Sequence, residues 1–170
     1  MADPVRIWPP EWPDWLPGYD RMLSRYSTSD GEYVEPPDVL VVHSGAIGEN
    51  VAEYLAKPDL SRYVSSHFSW AGKQDRFVQQ VPLSHIAWHC RGLNGRSIGV
   101  ELSGPYTQDP RRETERLQLR GLVVTVQAAT MGNLKWWCRH SEWSDSKRDP
   151  GPGMLDSWLD GLGMVHRVQY

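Results

Sequence analysis

Two histidines and an aspartate, on separate segments of the chain, could together hold a metal ion. His43 follows the apolar run at residues 39–42, His140 stands at the end of a second apolar run, and Asp149 lies in the polar loop after it. Two imidazoles and one carboxylate leave one position of a tetrahedral zinc ion open, as hydrolytic rather than structural zinc sites do. The pattern therefore favours a zinc hydrolase with His43, His140 and Asp149 as candidate ligands.

Zinc hydrolysis also requires a base and a positive group, and two further residues are candidates for these roles. Glu101 alternates with Ile98, Val100 and Leu102 in a predicted strand, so it lies on the opposite face from them. We expect Glu101 to remove a proton from the attacking water. Lys147 precedes Asp149 by two positions and is the candidate to stabilise the oxyanion.

Each of these residues also has an ordinary structural explanation. A histidine at a strand end can be a hydrogen-bonded core residue, and an aspartate before Pro-Gly is commonly a turn residue. A single glutamate or lysine is most often a solvated surface group. Only the combination of all five residues favours catalysis over these alternatives.

The elements that would position these residues form one domain from residue 38 onwards. Apolar runs and turn residues predict an α/β (mixed α+β) fold, with a central mixed β-sheet flanked by helices. Asn50 and Glu53 have the spacing of a helix capping box. Strands are predicted at 38–43, 64–70, 76–81, 97–103 and 134–140, and helices at 50–57, 109–131 and 154–162.

The first 37 residues differ from residues 38–170. They hold seven of the 13 prolines and three of the nine tryptophans. Proline disfavours a regular sheet, whereas tryptophan side chains usually cover an apolar surface. We therefore expect residues 1–37 to form an extended arm packed on the catalytic domain, with a short helix near residues 19–26.

Bulk properties exclude several classes of function. The 170 residues carry a net charge of −3, which provides no basic field for nucleic acid. No apolar run is long enough to span a membrane, and the N-terminus lacks the pattern of a signal peptide. We expect a monomer that is made in the cytoplasm, with its two cysteines, Cys90 and Cys138, as buried thiols rather than a disulfide framework.

Several blocks, in order along residues 38–155, carry a family resemblance. They are VVHS, EYLAKPDLSRYVSSHFSW, FVQQVPLSHIAWHCRG, NGRSIGVELSG and RHSEWSDSKRDPGPG. Through them the chain resembles the type-2, zinc-dependent N-acetylmuramoyl-L-alanine amidases, which include phage lysins, muropeptide-recycling enzymes and peptidoglycan-recognition proteins. The segment at 1–37 lies outside the resemblance.

The resemblance assigns a role to each candidate. It implies Zn²⁺ as cofactor and a type-2 amidase-like single domain that binds peptidoglycan or muropeptides. His67 is expected to be structural. The matching positions are His43, His140 and Asp149 as zinc ligands, Glu101 and Lys147 as catalytic residues, and His89 and Asn94 as substrate-binding residues.

Two positions depart from the family pattern. Ser66 stands where some members have a catalytic tyrosine, which increases the weight on Glu101. Cys90 replaces the usual alanine of the AWHAG block and places a thiol near the cleft. A cysteine hydrolase using Cys90 and His89 is disfavoured, because neighbouring residues of an extended segment point to opposite faces.

The resemblance implies hydrolysis of the amide between N-acetylmuramic acid and L-alanine. We expect a phage endolysin that acts on the cell wall after its release from the cytoplasm. A cytosolic muropeptide-recycling amidase and a non-catalytic peptidoglycan-recognition module are the alternatives.

Overall fold

The computed structural model describes residues 8–9, 11–27, 31–44, 50–59, 61–104, 112–150 and 156–168. Single turns of 3₁₀ helix occur at Asn94–Arg96 and Asp156–Trp158. The regular elements are β1 (Val39–Ser44), α1 (Val51–Leu55), β2 (Phe68–Ala71), β3 (Arg76–Gln79), β4 (Ser97–Leu102), α2 (Arg112–Ala129), β5 (Trp136–Arg139), α3 (His140–Trp143) and β6 (Val165–His166).

The strands form one sheet in the order β3-β2-β4-β1-β5-β6. Among the strand pairs of the described residues, only β2–β3 is antiparallel, so the predicted mixed sheet is confirmed. The central strands β4, β1 and β5 run parallel, and their carboxyl ends meet at one edge. Ligands of such sheets bind outside this edge, and here His43 lies opposite Glu101 in the register.

The period of two along the strands divides the core between the two faces of the sheet. On one face Ile98 and Val100 pack with Leu119 and Leu122 of α2 in the main core. The other face carries a smaller cluster, Val39, Val41, Cys90, Leu93 and Cys138. Both faces are covered, as is usual for parallel strands, so Glu101 lies in a partly enclosed space beside the smaller cluster.

The N-terminal segment packs into the main core. Trp8, Trp12, Leu16 and Tyr33 are all at least nine-tenths buried there. The helix predicted near residues 19–26 is wrong. Its backbone donors bind the domain instead: the N–H groups of residues 22, 24 and 25 donate to the carbonyls of residues 79, 80 and 55.

The burial of Trp8 predicts a large loss of stability when its side chain is removed. The indole is 2% exposed, donates from Nε1 to the Trp12 carbonyl at 3.0 Å and stacks against Tyr33. We expect Trp8→Ala to lower the free energy of unfolding by about 3–5 kcal/mol, measured by urea denaturation. The half-buried Trp15 is the control, and an equal loss from Trp15→Ala would contradict this prediction.

Most predicted elements are present, with altered ends. The hairpin is confirmed, although β2 begins at Phe68 rather than at residue 64. Asn50 precedes α1 but makes no side-chain capping bond, because its backbone is not in the extended conformation of an N-cap (φ −107°, ψ 41°). The predicted start of the long helix at 109–110 lies outside the described residues. So does the start of the helix predicted at 154–162, of which only the turn Asp156–Trp158 is described.

Within the described part of the chain, no helix combines the length and the apolar character that a membrane crossing requires.

Candidate active site

The three predicted ligands converge at the carboxyl edge of the sheet. His43 Nδ1 lies 3.0 Å from His140 Nδ1 and 3.3 Å from Asp149 Oδ2, and His140 Nδ1 lies 3.0 Å from the same oxygen. Ligand atoms at about 2.0–2.2 Å from a tetrahedral zinc ion lie roughly 3.3–3.6 Å from one another. The three donors are therefore spaced almost as one zinc ion requires, and the residues fit the metal.

Local structure directs each donor to this point. His43 lies near the end of β1, whereas His140 is the first residue of α3 and not the last of a strand as predicted. A capping box turns the chain there, because the Glu142 carboxylate accepts the Arg139 backbone N–H at 2.7 Å. The Ser141 N–H donates to the Asp149 carbonyl at 2.8 Å and holds the following loop against α3.

The charge states of the donors suit a metal. Burial lowers the pKa of His43 to about 4, so the ring is neutral at pH 7. Burial alone would raise the pKa of Asp149, but the hydrogen bond with His140 and the neighbouring His43 ring outweigh it and hold this pKa well below its usual range. A neutral imidazole and an ionised carboxylate are the forms that bind zinc.

Glu101 lies beside these donors, as predicted for the base. Its side chain is 13% exposed, and Oε1 is 3.9 Å from His43 Nδ1. Burial raises the pKa of Glu101 to about 8; the charge of Asp149 raises it further and that of Lys147 lowers it. A cation among the donors would lower this pKa, because an opposite charge favours the carboxylate. The group can therefore exchange a proton near neutral pH.

Lys147 is exposed in the loop between α3 and Asp149. Its backbone N–H donates to the Ser144 carbonyl at 2.9 Å, which fixes the turn before Asp149. Its positive charge lowers the pKa of both Glu101 and His43, so the ammonium group lies within electrostatic reach of the site. Its contact with an oxyanion stays a prediction.

The two predicted substrate-binding residues lie beneath the donors. His89 is 8% exposed, and its Nδ1 lies 3.0 Å from His43 Nε2. Asn94 Oδ1 accepts the backbone N–H groups of His89 at 3.1 Å and Cys90 at 2.7 Å. Asn94 thus fixes the turn that carries His89, and substrate contact by either residue stays a prediction.

Sequence reasoning missed the roles of Ser97 and Gly99, which lie on the same face of β4 as Glu101. Ser97 Oγ is 3.1 Å from His89 Nε2. A Cβ atom on Gly99 would lie 2.6 Å from Cγ of the His89 ring. A glycine within an otherwise apolar strand is a signal of such close approach, but the sequence does not show which group approaches.

His67 is structural, as the resemblance implied. It is fully buried; its Nδ1 accepts the Gly99 N–H at 3.0 Å and its Nε2–H donates to the His85 carbonyl at 2.9 Å. Burial lowers the pKa of His67 to about 4. A proton on His67 Nδ1 would point at the Gly99 N–H and remove the lone pair that accepts from it. The folded protein therefore favours the neutral ring.

His67 predicts a loss of stability in acid. The pKa of His67 is about 4 in the folded chain and about 6.5 in the unfolded chain. Its contribution to the free energy of unfolding is therefore complete above pH 6.5 and is lost as the pH falls through 4. Urea unfolding in EDTA should show a smaller loss between pH 7 and pH 4 for His67→Gln than for the wild type. Identical pH dependence in both proteins would refute this explanation.

The cysteines provide no nucleophile. Cys90 and Cys138 are free and 1% exposed. Burial raises the pKa of Cys90 to about 11 and that of Cys138 to about 12. Because the thiolate is the reactive form, the geometry and the charge state both disfavour a cysteine hydrolase.

Comparisons with known proteins agree with this site. A family model described as N-acetylmuramoyl-L-alanine amidase matches residues 33–152. No curated protein sequence matches the chain.

Several solved structures share this fold. The structure of a selenomethionine derivative of AmpD has 22% sequence identity to this chain and a TM-score of 0.67. The alignment covers 88% of this chain and 96% of the AmpD chain. The endolysin N-acetylmuramoyl-L-alanine amidase LysCS from Clostridium intestinale URNW is 15% identical with a TM-score of 0.65, covering 89% and 99%. Drosophila PGRP-LB is 13% identical with a TM-score of 0.61, covering 85% and 90%.

At these identities the structures show a shared fold, whereas the family model matches the sequence itself. The matched range contains His43, Glu101, His140, Lys147 and Asp149. The chain therefore belongs to the N-acetylmuramoyl-L-alanine amidase family.

Proposed function

We propose that this amidase depends on zinc and hydrolyses the amide between N-acetylmuramic acid and L-alanine in peptidoglycan. The observation that carries the proposal is that His43 Nδ1, His140 Nδ1 and Asp149 Oδ2 lie within 3.3 Å of one another. The Glu101 carboxylate lies beside them. These three residues would hold the ion. When bound, zinc supplies a Lewis acid that lowers the pKa of water and polarises the scissile carbonyl.

Glu101 would accept the proton of the attacking water and deliver it to the leaving amine. Its position 3.9 Å from His43 Nδ1 places the carboxylate next to the donors without making it one of them. Ser66, which stands where some family members have a tyrosine, is fully buried and donates to the Phe68 carbonyl at 3.2 Å. Ser66 is therefore buried against the backbone, which supports Glu101 rather than residue 66 as the base in this proposal.

Product analysis on purified peptidoglycan tests the reaction. The wild type should release new L-alanine amino termini without new sugar reducing ends, and Glu101→Ala should release neither. A wild-type protein that binds zinc and cuts no bond would instead be a peptidoglycan-recognition module.

Lys147 would stabilise the oxygen that becomes negative in the tetrahedral intermediate. One such donor contributes roughly 3–4 kcal/mol, so we expect Lys147→Ala to lower turnover on the order of a hundredfold or more. Zinc content should stay unchanged, because Lys147 is no ligand. Lys147→Arg should retain more activity than Lys147→Ala, and the exposed Lys135→Ala is the control. Full turnover in Lys147→Ala would eliminate the role.

We propose further that the protein acts as a monomeric phage endolysin, made in the cytoplasm and acting on the wall after release. The similarity in fold to the endolysin LysCS supports this proposal. Turnover on intact sacculi and on soluble muropeptides separates the alternatives. An endolysin should cut sacculi readily, whereas a recycling amidase should act on soluble fragments only.

A further inference from the structure

A chain of hydrogen bonds leads from His43 away from the metal donors and into the sheet. His43 Nε2 lies 3.0 Å from His89 Nδ1. His89 Nε2 lies 3.1 Å from Ser97 Oγ and 3.4 Å from the Ser97 carbonyl oxygen. Ser97 Oγ in turn donates to the Leu93 carbonyl at 2.7 Å. All three side chains are at least nine-tenths buried.

The carbonyl groups set the direction of every bond in this chain. The Leu93 carbonyl can only accept, so the Ser97 hydroxyl proton is committed to it. Ser97 Oγ and the Ser97 carbonyl must then accept from His89, which places the proton of His89 on Nε2. His89 Nδ1 is left with a lone pair and accepts from His43, so the proton of His43 is on Nε2.

We propose that His89 is a positioning residue that holds His43 in the tautomer whose Nδ1 lone pair faces His140 and Asp149. The inference rests on the proposed zinc site and concerns His89, which the resemblance assigned to the substrate. A ligand histidine is commonly oriented by an acceptor on its other ring nitrogen. Here that acceptor is a second histidine, itself oriented by Ser97.

The surroundings of His89 support this role. Asn94 Oδ1 fixes the backbone of His89 through the N–H groups of residues 89 and 90. The ring lies over Gly99, where a Cβ atom would come within 2.6–2.8 Å of three ring atoms. The backbone bonds fix where the His89 side chain begins, and the glycine leaves the room that its imidazole occupies.

Zinc affinity, measured by competition with a chelator, is the first test. We expect His89→Leu, which fills similar space without hydrogen bonds, to raise the zinc Kd by about 10–100-fold. His89→Gln has both an acceptor and a donor and should recover part of the affinity. Gly99→Ala keeps His89 but displaces its ring, so it should weaken zinc binding as well. The control is His85→Leu, because the His85 ring bonds Ser84 and not a ligand histidine.

Side-chain ¹⁵N NMR of the metal-free wild type is a second test, independent of activity. The proton of His43 should be on Nε2, and His89→Leu should allow exchange between the two tautomers. A proton on Nδ1 of wild-type His43 would overturn the proposal, as would unchanged zinc Kd values in folded His89→Leu or Gly99→Ala protein. A wild type that binds no zinc would refute the zinc site itself, which is a distinct result.

Discussion

Glu101→Gln is expected to lower amidase turnover on purified peptidoglycan by about 10²–10⁴-fold, the usual contribution of a general base. Glutamine has nearly the same shape as glutamate, but its amide cannot accept a proton from water. Zinc content should equal that of the wild type, because Glu101 lies 3.9 Å from His43 Nδ1 and is not one of the three close donors. Turnover and metal content measured on the same preparation check both statements.

The exposed Glu113 on α2 is the matched control. Glu113→Gln should leave turnover unchanged, since this carboxylate pairs with Arg116 on the helix surface. Wild-type turnover in zinc-loaded Glu101→Gln would mean that another group takes the proton. A loss of zinc in Glu101→Gln would instead identify Glu101 as a ligand.

Asp149→Asn is expected to remove most of the zinc and, with it, the activity. The carboxylate lies 3.0 Å from His140 Nδ1 and 3.3 Å from His43 Nδ1, and the hydrogen bond with His140 stabilises its charge. Zinc binds structural sites with about 10–16 kcal/mol in total, so losing one of three or four ligands should weaken binding on the order of 10²–10³-fold or more. Chelator competition measures this change directly.

Asp145, exposed in the same loop, is the control for Asp149. Asp145→Asn changes the net charge equally, so unchanged affinity there would separate ligation from a general charge effect. Equal zinc affinities for wild type and Asp149→Asn would remove Asp149 from the ligand set. Compared with Glu101→Gln, which should keep its zinc, the pair of variants distinguishes a ligand from a base.

The central strands and the candidate ligand residues could be predicted because they depend on local patterns. Residues 39–42 form a continuous apolar run, which is typical of a strand buried on both faces. The alternation around Glu101 correctly placed its side chain on the face opposite Ile98 and Val100. His43, His140 and Asp149 were recognisable because ligand chemistry restricts the residue types and the family blocks restrict their order.

The predictions failed at the ends of elements and where distant groups bond the backbone. The segment at 19–26 forms no helix, because its N–H groups reach carbonyls of residues 55, 79 and 80. Asn50 makes no capping bond, although its spacing to Glu53 suits one. The strand predicted through His140 ends at Arg139, since the Arg139–Glu142 capping box begins α3 there.

The sequence by itself determined which residues are able to bind a metal and exchange protons, because residue type sets that chemistry. Only the tertiary structure decided how they are oriented. The parallel register places His43 opposite Glu101, and packing brings His89 between His43 and Ser97 over the bare backbone of Gly99. These contacts join segments far apart in the chain, and their bond directions follow from carbonyl groups whose positions only the folded sheet defines.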